Sequence, residues 1–569
     1  MHACTIRNNV ADGASSRAPV APARRDVVRV PKKLRAFKTA RRGAINPTTM
    51  PSSIVSLAAE AQATGAPATE TPVPAAVGDD RLAEEESLDP DDWTAFRAWA
   101  HAALDDAIEF TRTVRDRPAW QPVPAAVKSE LRRPLPRGPG RLEAMYDDFK
   151  RLILPYPTGN VHPRFWGWVM GSGTPEAIVA EMLAATMNAH VAGYDQSAAL
   201  VEEQVLAWLS QALAFPEAAT GVLTSGGTMA NLLGVTAARN TLAGCDVREE
   251  GVRGGAPLVV YASTETHHWV DAACETLGIG RRGLRRVRCD ASYRIDVAAL
   301  ARAIAEDRRA GRRPLCIVGT AGTVNTGAID DIDALARVSR DEAMWLHVDG
   351  AFGALAALSP ALRPEVFGME RADSLAFDLH KWGYLPYGVG CVLVRDPDAH
   401  RRAFASAASY IAPSRGGIMK EPFVFAERGI ELSRSFRALK VWMSLRLHGA
   451  DKWGRLIEQN VHQARYLASR IAREPALELL APVSLNVVCF RVRDPRLGAA
   501  ELDALNERVL VRVQESGIAV PSSTRIDGRF ALRVAITNHR SRREDFDVLV
   551  DAVLDAARAA VGGGVAPGA

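Results

Sequence analysis

The chain has 569 residues, 47% hydrophobic and 24% charged, which is a globular composition with enough apolar material for two or more packed cores; a wholly disordered chain is excluded. No apolar run approaches the roughly 18 residues of a membrane span and the start lacks a signal-type apolar core, so a soluble, cytoplasmic protein is expected, with no membrane partner. The net charge of +4 is uneven: eleven Lys and Arg against Asp12 and Asp26 make residues 1–49 net +9 and leave the other 520 at −5, so the body lacks the basic excess that nucleic-acid binding requires.

Residues 1–85 are rich in Ala, Pro, Thr, Ser and Arg without a sustained hydrophobic period, which predicts a disordered basic arm. A transit peptide, a functional basic arm or a translation start at Met50 are the alternatives. Residues 86–200 read as a helical segment. Asp89-Pro90-Asp91-Asp92 starts a helix over Trp93–Val114, and Thr174-Pro175-Glu176 starts another to Asn188, with Ile178, Met182, Leu183 and Met187 on one face.

From 201 to 438, short apolar runs alternate with helical stretches. The runs are 221–224, 258–261, 315–319, 345–348, 374–377 and 390–394. Strands that are apolar throughout and separated by helices predict an α/β domain with a mostly parallel sheet covered on both faces. Residues 439–562 read as a smaller α+β domain: one long helical segment to about Arg473, then half-exposed strands over 485–492 and 530–536, fraying after Ala560. The seven cysteines are odd in number, scattered and never in a C-x-x-C pair, which predicts neither a disulfide framework nor a metal site.

Four stretches carry chemistry. Ser225-Gly226-Gly227-Thr228 follows the first strong strand and opens an apolar helix, an arrangement that suits a phosphate or an ordinary tight turn. His267 and His268 follow the strand ending near Tyr261, where ligands bind in α/β sheets; one imidazole there can stack on a flat ring. Asp349 ends a buried strand and so needs an Arg or a cationic ligand group to answer it. Lys381, between Leu379 and Trp382 past another strand end, reads as a partly desolvated amine nucleophile. Together they suit pyridoxal phosphate, which needs an anion site, a face, an acid opposite its pyridine nitrogen and a lysine.

On these residues the stretch from about His162 to Gly449 resembles the group II pyridoxal-phosphate-dependent amino-acid decarboxylases, within the aspartate-aminotransferase fold superfamily (fold type I). The most specific matches are His347-Val348-Asp349-Gly350-Ala351, Asp378-Leu379-His380-Lys381-Trp382 and Arg434-Ser435-Phe436-Arg437-Ala438-Leu439-Lys440-Val441-Trp442; weaker ones are His162-Pro163-Arg164-Phe165 and Gly322-Thr323. The resemblance implies α-decarboxylation of an L-amino acid, with aromatic ones among the candidates, to its amine by a homodimer. Lys381 would carry the cofactor as a Schiff base, Asp349 would pair with the pyridinium nitrogen and His267 would stack on the ring. Gly227, Thr228 and His380 would contact the phosphate, and Thr323 would lie near the ring. Gly350 and Trp269 depart from the family pattern, Trp269 filling a slot that is usually small. Other fold type I chemistry is an alternative, and a silent binding scaffold would be expected to lack Lys381 or Asp349. The resemblance also implies a mobile loop, placed at 405–430, bearing a tyrosine that protonates the α-carbon. Counting back from Ile430 puts Phe425 at that position, which would divert the product to an aldehyde, with Tyr410 as the alternative donor.

Overall fold

The computed structural model describes residues 87–252, 255–405, 416–420 and 424–562. The expected basic arm, Tyr410 and half of the expected mobile loop lie outside them. The elements below all belong to the unit Asp91–Ala569.

A seven-stranded sheet is built from β1 (Thr220–Thr224), β2 (Leu258–Ser263), β3 (Leu284–Val287), β4 (Arg313–Thr320), β5 (Trp345–Asp349), β6 (Ser374–Asp378) and β7 (Gly390–Val394) in the order β1-β7-β6-β5-β4-β2-β3. The four pairings from β6 across to β3 are parallel, and β7 runs antiparallel to both β6 and β1. Strands β2, β5, β6 and β7 are buried along their whole length, the physical reason they read as near-continuous apolar runs rather than alternating. Helix Gly227–Leu242 crosses this sheet closely. A Cβ on its Gly234 would stand 2.6 Å from His347 in β5, so only glycine fits there. His347 itself is fully enclosed, bonded to Asn231 Oδ1 at 2.7 Å and Ser374 Oγ at 2.8 Å, and burial pushes its pKa down to about 3. It is therefore a neutral core group.

A second sheet, β10-β11-β9-β8, is antiparallel and comprises β8 (Leu477–Leu479), β9 (Val487–Val492), β10 (Ser522–Ile526) and β11 (Arg529–Ala535). The sequence predicts half-exposed strands here, but β9 is buried throughout and β11 nearly so. They are the two central strands, and helices Ala450–Ala472, Ala499–Glu515 and Arg543–Gly562 cover them with Leu467, Val509, Phe546 and Leu549. The long helix expected after Leu439 is two, Ala438–His448 and Ala450–Ala472, divided at Gly449, whose φ of +73° a helix cannot continue through.

Candidate active site

Strand register assembles the site. At the C-terminal ends of the parallel strands Thr320 pairs with Asp349 and Asp349 with Ala376. Two residues on, Asp378 pairs with Gly390, which also pairs with Thr224. The Ser225–Thr228 turn after β1 is thereby set beside the Asp378–Lys381 segment after β6, although about 150 residues separate them. The carboxyl ends of such strands are where α/β sheets bind ligands.

No side chain caps helix Gly227–Leu242, so its first N–H groups are available to an anion. The glycines there are required by close approach rather than by backbone torsion. A Cβ on Gly227 would stand 2.6 Å from Asp378 Oδ2, and one on Gly226 would stand 3.2 Å from His380 Cε1. Thr228 is exposed at the rim. His380 is buried, donates from Nδ1 to the Val389 carbonyl at 3.0 Å and lies 4.7 Å from the Tyr387 ring. Burial holds its pKa below the usual imidazole range, and a phosphate beside it would oppose that.

Asp349 is buried at the end of β5. Its Oδ2 accepts from Trp269 Nε1 at 2.6 Å and its Oδ1 from the Ala351 amide at 3.0 Å. Of the two answering groups the sequence predicts, no Arg is ion-paired with Asp349 among the described residues, and a cationic ligand group remains the expectation. Neutral donors stabilise the carboxylate, one of them the tryptophan in the usually small slot, and they leave room for a further partner because a carboxylate accepts about four hydrogen bonds.

His267 precedes helix Trp269–Thr276, accepts at Nδ1 from the Trp269 amide at 3.2 Å and lies 4.1 Å, ring to ring, from the exposed His268. Its pKa is lowered, first by burial and then by His268; Asp349, Lys381 and Asp378 also act on it, which places the four groups in one cluster.

Lys381 is 24% exposed, and its Nζ stands 3.0 Å from Asp378 Oδ2. Its apolar neighbours do not isolate it. Leu379 is core, and Trp382 turns inward to donate to Asn460 Oδ1 at 3.0 Å. The amine meets a carboxylate instead. Thr323 is fully buried, with its hydroxyl 3.0 Å from that of Thr326 and accepting from the Ala328 amide at 3.1 Å, so it ties its own turn. Its place near a ring rests on the resemblance.

The residues missed by sequence reasoning are Asp378 and Arg533. Asp378 had a signal, because it ends a buried strand as Asp349 does. Arg533, inside β11, had none: it is buried, donates to the carbonyls of Trp168 and Asn325, and its Nη2 has no partner. Burial lowers its pKa to about 10, so it remains a cation. Of the two tryptophans after His162, Trp166 is core, stacked 4.8 Å from Phe546, whereas Trp168 is exposed. The backbone of that stretch touches the site at Gly171, where a Cβ would collide with the His380 and Lys381 carbonyl oxygens.

Phe425 is not on a lid. It is 0% exposed, its amide donates to Ala192 O at 3.1 Å and its ring lies 5.0 Å from the Arg434 guanidinium. The count that put it at the α-carbon therefore does not hold.

An uncapped helix start, a carboxylate at a strand end, an imidazole face and a primary amine form a set of groups that fits pyridoxal phosphate. Comparison with known proteins agrees. A family model described as the pyridoxal-dependent decarboxylase conserved domain matches residues 124–493. An aromatic-L-amino-acid decarboxylase of Bacillus atrophaeus is 32% identical over 455 residues, covering 79% of this chain and 92% of that one. A phenylacetaldehyde synthase of Arabidopsis thaliana is 28% identical, covering 79% of this chain and 93% of that one. Among solved structures, Oryza sativa TDC with PLP and tryptamine superposes with a TM-score of 0.76 at 25% identity, covering 83% of this chain and 99% of that one.

Proposed function

Because the chain belongs to the pyridoxal-dependent decarboxylase family, we propose that it converts an aromatic L-amino acid to the corresponding amine and carbon dioxide. Membership makes it a pyridoxal-phosphate-dependent carboxy-lyase of fold type I; the aromatic substrate, the amine product and the residue roles are our reading. The observation that carries it is the convergence of Asp349, His267 and the Lys381–Asp378 pair on one set of strand ends.

When bound, pyridoxal phosphate supplies an electron-accepting ring for the pair left as carbon dioxide departs. The amides of Gly227 and Thr228, with His380, would hold the phosphate. Asp349, fixed by Trp269 and Ala351, would keep a proton on the pyridine nitrogen through the step. His267 would cover one ring face and exclude water from it, and Lys381 Nζ would supply the amine that attaches the group. Trp168 is an exposed aromatic side chain available to a substrate ring.

The active form is proposed to be a homodimer. Helix Trp93–Arg112 has no buried residue, Trp93 included. Helices Pro175–Met187, Ser197–Ala212 and Ala438–His448 pack together and leave Met182, Leu183, Met187, Leu200 and Leu447 exposed. Lys440 of the same group bonds the Tyr387 carbonyl, so this apolar surface adjoins the Tyr387–His380 mouth of the site. A second copy would cover it. Sedimentation is expected to give twice the 61.3 kDa chain mass, and an active monomer would reject the arrangement. No helix among the described residues is long and apolar enough to cross a membrane, and we place the protein in the cytoplasm. We take residues 1–85, 86–200, 201–438 and 439–562 as its working segments.

The test is a panel of L-amino acids with purified protein and pyridoxal phosphate, recording carbon dioxide, amine, oxygen uptake and peroxide separately. Aromatic substrates should give amine and carbon dioxide one to one without peroxide, and Tyr410→Phe should lose amine formation. Aldehyde with peroxide from the native enzyme would overturn the amine assignment.

A further inference from the structure

Asp378 is the charged group at the head of the site to which the reaction above gives no task. Its carboxylate is 2% exposed, with Oδ2 3.0 Å from Lys381 Nζ and Oδ1 buried without a hydrogen bond, 3.8 Å from His380 Nδ1. It also walls the anion cradle. A Cβ on Gly227 would stand 2.6 Å from Oδ2, and one on Gly390 would stand 2.8 Å from Oδ1. The same carboxylate therefore borders both the lysine and the turn whose open amides suit a phosphate.

A buried negative charge raises the free energy of any anion placed a few ångströms away, and in a partly desolvated site little solvent intervenes to screen it. Among the described residues Lys381 is the permanent cation paired with Asp378, with His380 Nδ1 a further 3.8 Å from Oδ1, and the lysine's charge is spent there rather than on an incoming phosphate. His380 offers little relief, because burial keeps it neutral and Nδ1 is committed to the Val389 carbonyl. Among the described residues the cradle thus presents amides and hydroxyls with its nearby lysines already paired, Lys381 with Asp378 and Lys440 with Glu181, unlike a phosphate site built around a free Lys or Arg.

We propose that Asp378 is a built-in counter-charge that holds Lys381 in place in the cofactor-free chain and opposes the cofactor's phosphate, so that the enzyme holds pyridoxal phosphate reversibly and its occupancy follows the free concentration. The inference rests on the reading that Lys381 and the Ser225–Thr228 turn hold the cofactor. It carries an unusual sign: removing a charged residue from the site should strengthen binding. The strengthening should also be confined to the phosphate, which a merely structural role would not produce.

The experiment is equilibrium dialysis of the full-length cofactor-free protein against pyridoxal phosphate and, separately, against pyridoxal, for the native chain, Asp378→Asn and Asp378→Ser. Both variants remove the charge, and Ser serves if Asn does not fold. The ratio of pyridoxal phosphate affinity to pyridoxal affinity should rise about tenfold in each folded variant, as expected for deleting one negative charge near a phosphate. An unchanged or lower ratio in a folded variant would overturn the proposal. A native chain that binds neither compound, or that borohydride labels at a lysine other than Lys381, would instead overturn the reading beneath it.

Discussion

Lys381→Ala is expected to abolish covalent capture of pyridoxal phosphate and to lower turnover by about 10⁴-fold or more, because the nucleophile and the group that positions the cofactor are the same atom. Another lysine near the site is poorly placed to substitute: Lys440 is buried, paired with Glu181 and donating to the Tyr387 carbonyl at 2.9 Å. The fold should survive, at a cost. Truncation leaves the Asp378 carboxylate buried with neither oxygen partnered, which lowers stability by about 2 kcal/mol. The Lys381→Ala/Asp378→Asn double variant should recover most of that loss without recovering activity, a separation readable by urea melts beside borohydride reduction and peptide mass mapping. Reduced cofactor found on another lysine would remove Lys381 from its role.

Much of the architecture was legible because the physics of a doubly covered sheet is local. Strands β2, β5, β6 and β7 are buried at every position and so mostly apolar, and each was visible as a near-continuous run bounded by helical stretches. β3 was not, because Leu284-Arg285-Arg286-Val287 is an edge strand whose two arginines face Asp307 and Asp271, a pattern that reads as loop. β8 and β10 were hidden by shortness and polarity. Asp349 and Lys381 could be singled out as polar residues just beyond buried strands. The partner of Asp349 could not, since Trp269 lies 80 residues away and only the fold brings its indole to the carboxylate.

The Arg434–Trp442 stretch shows the opposite limit. It was among the most specific signs of the family, yet the structure gives its first residue a scaffold task. Arg434 is buried in an ion pair with Glu202 and donates to the Val191 carbonyl at 2.6 Å and the Leu223 carbonyl at 2.7 Å, bracing the strand that leads into the Ser225–Thr228 turn. Phe425, counted back from Ile430 as a lid residue, packs beneath that arginine. A motif can identify a family through the part that holds the site up rather than through the part that reacts.

The second large effect is expected from Asp349→Asn. The carboxylate has two oxygens that already accept from Trp269 Nε1 and the Ala351 amide, and it retains lone pairs for the pyridinium N–H. An asparagine has one acceptor oxygen for these three donors, and its NH2 group must then face either a donor N–H or the pyridine nitrogen. Facing the nitrogen, it donates a hydrogen bond to the unprotonated ring and so favours the form that cannot accept the departing electron pair. Cofactor should therefore still bind through its phosphate and Lys381, while kcat falls about 10³-fold with little change in KM, the signature of a contact that matters mainly in the transition state. Trp269→Phe separates the two contributions. It removes one competing donor but leaves the charge, so it should cost about tenfold in kcat and should soften the Asp349→Asn penalty when combined with it, as expected for residues in direct contact. Stopped-flow turnover with cofactor content measured on the same samples decides the matter: near-native kcat in cofactor-replete Asp349→Asn would mean that this carboxylate is not what holds the ring proton.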